Sequence, residues 1–116
     1  MIRTAILLAT LVTSCTGAHA QSAAQEAETM LRVASAQAAI MQFCQTRYAL
    51  DGPTSFKLGQ ASRDAATQLV GEKRAAAAFK RELLRRFNEV KITGEAQWCT
   101  YQRATLNSGG VRVFLN

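Results

Sequence analysis

The sequence predicts an all-α fold, a small bundle of three to four helices that is stapled by one disulfide and followed by an extended C-terminal tail. Three observations predict this fold. Apolar residues recur at helical spacing over most of 23–106, and turn-forming segments separate the periodic stretches. Two cysteines, Cys44 and Cys99, remain when the first 20 residues are set aside. Residues 21–116 are expected to form a single helical domain, because a chain of this length supports one modest core.

Residues 1–20 have the pattern of a secretory signal peptide. Arg3 gives a positive start, "TAILLATLV" is an apolar run too short to span a bilayer, and "AHA" at 18–20 is a small-residue cleavage site. We therefore expect cleavage after Ala20. The mature chain is expected to be periplasmic or secreted, with a bacterial periplasm as the preferred address.

An alternative start lies at Cys15. "VTSC" at 12–15 resembles the end of a bacterial lipoprotein signal, in which the cysteine is lipidated and becomes the first mature residue. Val12 and Ser14 depart from the commonest form of that pattern, and "AHA" favours ordinary cleavage. The resemblance implies an outer-membrane lipoprotein with a structural role in the envelope.

The first helix is predicted over about 23–49. Ser22 and Gln25 have the spacing of a capping box, in which a serine and a glutamine satisfy the first free N–H groups of a helix. "DGP" at 51–53 is predicted to end this helix, with Gly52 as a left-handed cap and Pro53 unable to continue it. The expected buried stripe consists of Ala27, Met30, Ala34, Met41, Cys44 and Tyr48.

Three further helices are predicted over about 58–70, 72–92 and 95–106. Gly71 either caps the second helix or only bends it into the third, and the sequence leaves this choice open. In the last segment, "VRVFLN" is expected to dock with Val113 or Phe114 in a gap of the core. The predicted buried residues are Leu58, Ala61, Ala65 and Leu69 in the second helix, and Ala76, Phe79, Leu83, Phe87 and Val90 in the third.

The cysteines and the histidine limit the kinds of catalytic and metal site that the mature chain can form. Cys44 and Cys99 are expected to form a disulfide, and the chain-entropy model values a closed loop of this size at about 4 kcal/mol. His19 leaves with the signal, which excludes Ser-His-Asp and Cys-His catalysis in the mature chain. We expect no metal and no cofactor, because the remaining candidate ligands are carboxylates. A carboxylate-based hydrolase is the weakest hypothesis, since no two acids are forced together by spacing.

The third helix carries the sharpest surface feature. The formal charge of the chain is +6, and removal of Arg3 with the signal leaves +5. Arg74, Arg81 and Arg85 share one face, and arginine suits phosphate or carboxylate groups. A solvated helix face is the competing interpretation.

A second surface candidate lies beside Cys99. Trp98 and Tyr101 could anchor a partner, although a tryptophan next to a disulfide more often packs in the core.

The preferred hypothesis is an exported, non-enzymatic protein that binds another protein or an anionic envelope component. Export makes nucleic acid an unsuitable target despite the basic charge. Membrane contact is expected to be peripheral, or to occur through a lipid on Cys15.

The identity of the first residue of the mature protein distinguishes cleavage after Ala20 from a lipidated start at Cys15. We predict that mass spectrometry of the protein from a bacterial envelope gives a chain that begins at Gln21. A diacylated chain that begins at Cys15 would contradict this prediction and establish the lipoprotein.

Overall fold

Residues 15–116 fold into four helices in the computed structural model, which describes the backbone of these residues and the side chains of residues 22–116. The helices are α1 (Cys15–Phe43), α2 (Gly52–Val70), α3 (Glu72–Thr93) and α4 (Glu95–Ser108), and residues 15–116 contain no β-strand. The all-α prediction is confirmed. Most of the predicted signal peptide lies outside the described residues. Within 15–116, none of the helices has the length and apolar character that crossing a membrane requires.

Helix α1 differs from its prediction at both ends. It begins at Cys15, so Ser22 lies inside the helix in this chain and does not cap it. It ends at Phe43, before the predicted residue 49, and the chain turns over 44–48. The carbonyl of Cys44 accepts from the backbone N–H groups of both Arg47 and Tyr48, at 3.0 Å each. These bonds close a turn in place of a further helical turn.

The segment "DGP" begins α2, which corrects its predicted role as a stop with a left-handed Gly52. Asp51 is the N-cap, and its Oδ1 accepts from the backbone N–H of Thr54 at 3.0 Å. Pro53 lies in the first turn, where its missing N–H costs no helical bond. The amide of Thr54, followed by its hydroxyl, holds the pKa of Asp51 below the ordinary value of 3.8.

Helices α1 and α2 pack antiparallel along a seam of small residues. Ser55 Oγ donates to Gln37 Oε1 at 2.7 Å, and both side chains are buried. The buried residues of α2 are Ser55, Ser62 and Ala66, so the predicted stripe is displaced by about one position and Ala61 is exposed. The prediction counted serine as polar, whereas close helix contact favours small side chains, and Ser55 has a hydrogen-bond partner across the seam.

Helix α3 runs in the same direction as α1. Ala75 clusters with Leu31 near one end, and the Phe87 ring meets the Phe43 ring edge-on at 5.5 Å near the other. The buried residues of α3 are Ala75, Glu82 and Val90, whereas the predicted Ala76 is exposed. A hydrophobicity pattern does not predict that a glutamate faces inward. Because Glu82 was counted as polar, the predicted buried stripe was displaced around α3.

Single glycines separate the last three helices. Gly71 has φ 89° and Gly94 has φ 90°, a region that residues with a Cβ rarely adopt. The N–H of Gly71 still bonds the Thr67 carbonyl at 2.8 Å, and that of Gly94 bonds the Val90 carbonyl at 2.8 Å. Gly71 therefore breaks the chain into two helices, which answers the question that the sequence left open.

The Cys44–Cys99 disulfide is confirmed and lies at the centre of the larger hydrophobic cluster. The two Cα atoms are 5.6 Å apart, and both cysteines are fully buried. Trp98 packs in the same cluster, as do Val113 and Phe114 from the tail. The disulfide thus joins the end of α1 to α4 inside a closed apolar environment.

The C-terminal tail docks as predicted. The Asp51 N–H donates to the Val113 carbonyl at 2.7 Å, and the Leu115 N–H donates to the Ala49 carbonyl at 2.8 Å. Leu50 and Phe114 form an isolated antiparallel bridge between these two bonds. The tail therefore lies against the α1–α2 connection as a short strap.

The lowered pKa of Asp51 makes the cap sensitive to acid. A carboxyl with a folded pKa below 3.8 stabilises the fold above that pH, and the contribution is lost as the pH falls through the folded pKa. We predict that Asp51→Ala lowers the free energy of unfolding in urea at about pH 7, and that this deficit shrinks below pH 3.8. Asp51→Asn is the control, since a neutral amide caps at every pH. A deficit of Asp51→Ala that is equal at about pH 7 and about pH 2 would contradict the assignment.

Candidate functional site

Helix α3 separates its charges between two sides. Six of its seven basic side chains are exposed, while Glu82 is buried and Glu89 is half-buried. Glu72 lies in the first turn, where the helix dipole favours an acid. On a 100° wheel the exposed cations share one half of the helix, which we call the basic face. The basic face consists of Lys73, Arg74, Lys80, Arg81, Arg85 and Lys91.

The three arginines singled out by sequence differ in their surroundings. Arg74 and Arg81 line a shallow groove of about 210 Å³ beside Glu28 of α1. Arg85 points toward the buried carboxylate instead, with its Nη1 3.6 Å from Glu82 Oε1. Arg74 and Arg81 are therefore the members best placed to meet an external anion.

Two exposed apolar side chains lie among these cations. Leu84 is 60% exposed and Ile92 is 77% exposed, two turns apart on the same side of α3. Asn88 lies between them and is exposed as well. Neither residue was predicted as a surface feature, because both lie outside the predicted core stripe of α3. Their positions on the wheel, among the six exposed cations, were the signal that could have found them.

A chain of ion pairs runs behind the basic face. Arg86 Nη2 lies 3.8 Å from Glu82 Oε2 and 2.9 Å from Glu89 Oε1. The indole Nε1–H of Trp98 donates to Glu89 Oε2 at 3.3 Å. The side chain of Glu82 is only 4% exposed and that of Arg86 only 15%. The Glu82–Arg86 pair therefore lies in the interior of the protein and not on an exposed flank of α3.

Trp98 and Tyr101 have separate environments. Trp98 is 3% exposed and packs against the disulfide cluster, which agrees with the core interpretation. Tyr101 is 67% exposed. Both residues line a cleft of about 420 Å³ together with Arg86 and Glu89. A partner at this cleft would meet the phenol of Tyr101 and only the edge of the indole.

Among the described residues, Glu82 and Glu89 are two carboxylates that face one guanidinium, that of Arg86. Glu82 and Glu89 are held together by the shared guanidinium of Arg86, which accounts for their positions structurally. In the part of the chain with described side chains, no group of three or more His, Cys, Asp or Glu residues could hold a metal ion.

A second surface was missed entirely by the sequence analysis. Phe56 is 70% exposed beside a groove between α1 and α2, near Met41 and Arg63. The predicted start of the second helix at 58 placed Phe56 in a linker, where its face could not be assigned. Recognition of "DGP" as a helix start would have placed Phe56 and Arg63 two turns apart on one side of α2.

The ion pairs behind the basic face give a stability prediction. Glu82→Gln keeps the shape of the side chain but removes the charge that Arg85 and Arg86 face. We expect the free energy of unfolding in urea to fall by about 2 kcal/mol, below the usual cost of breaking a buried pair because Glu89 still holds Arg86. The exposed Glu28–Arg32 pair supplies a control, since Glu28→Gln should cost less than about 0.5 kcal/mol. Equal effects of the two variants would contradict a structural role for the buried carboxylate.

Comparison of the chain with models of known protein families, with curated protein sequences and with solved structures found no match. The described part of the chain is a small four-helix protein with one buried disulfide and a segregated basic face on α3.

Proposed function

We propose that the protein is exported to the bacterial envelope and acts there, without catalysis, by binding an anionic phospholipid surface through the basic face of α3. The observation that carries the proposal is the sorting of charge on α3. Five of its six exposed cations form no ion pair among residues 22–116, whereas Glu82 and Glu89 both face Arg86 on the other side of the helix. A merely soluble helix has no need of this separation, because mixed charges solvate a surface equally well.

The apolar residues among the cations favour a lipid surface over a soluble anion. Leu84 and Ile92 are exposed between basic side chains, as in helices that lie in a membrane interface with their apolar groups inserted among the headgroups. Each Lys or Arg near an anionic membrane contributes about 1 kcal/mol of attraction, which decays within a Debye length. The long arginine and lysine stems can reach headgroup phosphates while Leu84 and Ile92 meet the acyl boundary.

Two features support the extracytoplasmic location. The disulfide is fully buried in the larger core cluster, and such bonds form and persist in oxidising compartments. The pattern of residues 1–20 is that of a cleavable export signal. The alternative is a lipoprotein with a structural role and a lipid on Cys15, which would bring the same basic face to a membrane by tethering. A protein partner with an acidic surface is the second alternative for the same face.

Binding to vesicles tests the proposal. The variant Arg74→Ser/Lys80→Ser/Arg81→Ser removes three cations of the basic face and leaves Arg85 beside Glu82. We predict that it lowers partitioning onto vesicles of phosphatidylglycerol and phosphatidylcholine about 100-fold at low salt, because three contributions of about 1 kcal/mol are lost. The measurement is co-sedimentation over a range of salt concentrations.

A matched variant separates local binding from net charge. Arg47→Ser/Lys57→Ser/Arg112→Ser removes three exposed cations that lie outside α3. It lowers the total charge by the same amount but leaves the basic face intact. We therefore expect it to weaken partitioning about tenfold, compared with about 100-fold for the α3 variant. Equal losses for the two variants, or partitioning of the parent protein that does not respond to salt, would refute a docking role for the basic face.

A further inference from the structure

The groove between α1 and α2 has an apolar floor and an open top. Its volume is about 320 Å³, at the lower end of the range for small-molecule sites in proteins. Ala34, Ala38 and Met41 form the α1 side, and Phe56 and Gly59 form the α2 side. We call this surface the α1–α2 groove.

Small side chains create the α1–α2 groove. A Cβ atom at Gly59 would lie 3.7 Å from the Cβ of Gln37, so the two helices are close at their seam. Above the seam, Ala38 carries only a methyl group and is exposed, which leaves the space open. Met41 is half-buried at one end, and its unbranched thioether adapts to apolar ligands of varied shape.

One cation closes the opposite end of the groove. The Arg63 guanidinium lies over the Phe79 ring, 4.2 Å from its centroid, which fixes the arginine in place. No ion pair among residues 22–116 involves Arg63, and neighbouring Asp64 accepts from the Gln60 amide at 3.1 Å. A guanidinium held in this way offers paired donors to a carboxylate.

We propose that the α1–α2 groove binds a free fatty acid, with the acyl chain along Met41, Phe56 and Gly59 and the carboxylate on Arg63. The lining suits an unbranched chain, because it is mostly apolar and extends from Gly52 to Arg63 on α2, about 16 Å at the helical rise. Its polar side chains Gln37 and Ser55 are hydrogen-bonded to each other. Because Arg63 supplies a cation at one end of the groove, the charges suit a ligand with a single anionic group at one end. This site is separate from the basic face of α3, so it goes beyond the proposed adsorption to a membrane.

The proposed site can be tested by isothermal titration calorimetry, in which dodecanoate below its critical micelle concentration is titrated into the disulfide-bonded protein. We expect saturable binding of one molecule, about tenfold tighter than that of dodecanol, because only the carboxylate forms a charge-assisted hydrogen bond with Arg63. Arg63→Gln should remove the preference for dodecanoate and leave dodecanol binding unchanged. Lys57→Gln, which removes an exposed cation elsewhere on α2, should leave both affinities unchanged.

Two variants test the path of the acyl chain. Ala38→Phe places a ring in the groove from an exposed position and should weaken both ligands at least about tenfold, whereas Ala104→Phe on α4 should weaken neither. Phe56→Ser removes an exposed wall without disturbing the core and should weaken both ligands as well.

Four outcomes would overturn the proposal. They are non-saturable uptake of dodecanoate, undiminished binding by Ala38→Phe, equal binding of dodecanol and dodecanoate by the parent protein, and a self-association that Ala38→Phe abolishes. The last would assign the groove to a second copy of the chain. Because phospholipid vesicles are absent from these titrations, failure here leaves the basic-face proposal to its own experiment.

Discussion

The disulfide between Cys44 and Cys99 is the constraint on which the rest of the structure depends. It fixes the end of α1 against α4 and lies at the centre of the larger hydrophobic cluster. Trp98, next to Cys99, covers this region and reaches Glu89 through its indole N–H. Glu89 in turn holds Arg86, so the covalent link and the ion pairs behind the basic face are continuous. The orientation of α3 thus follows from the same core that buries the sulfur atoms.

The inward ion pairs explain how α3 can be so basic on its outer side. Glu82 neutralises Arg85 and Arg86 from within, where a carboxylate without cations would be costly to bury. Apart from Arg85, the exposed cations of α3 form no ion pair with an acid of their own helix. Repulsion among them is screened by solvent and salt, and it is relieved when an anionic surface supplies the missing counter-charge.

Helical periodicity, together with the even count of cysteines, was sufficient to predict the fold class and the disulfide. It left the number of helices at three or four, because Gly71 could either bend one helix or separate two. It failed where a polar residue faces inward. Ser55 and Ser62 lie in the seam and Glu82 lies under α3, and a wheel that counts them as polar places the buried face elsewhere. The role of "DGP" was predicted wrongly for another reason. Aspartate and proline can begin a helix as well as follow the end of one, and only the hydrogen bond from the Thr54 N–H to Asp51 shows that they begin α2. The arginines on α3 were found from the sequence, whereas the groove beside Phe56 depends on how closely two helices approach.

The docked tail has a consequence for the order in which the chain matures. Cys99, Val113 and Phe114 complete the core around Cys44, yet they are synthesised at least 55 residues later. Until almost all of the chain is synthesised, α1 and α2 can therefore make only the contacts of their narrow seam. Contacts between residues as far apart in sequence as Cys44 and Cys99 form slowly. A polypeptide whose principal core assembles late stays unfolded for longer, which suits the export proposed above. The strap over Leu50 closes last, because it joins Phe114 to the connection between α1 and α2.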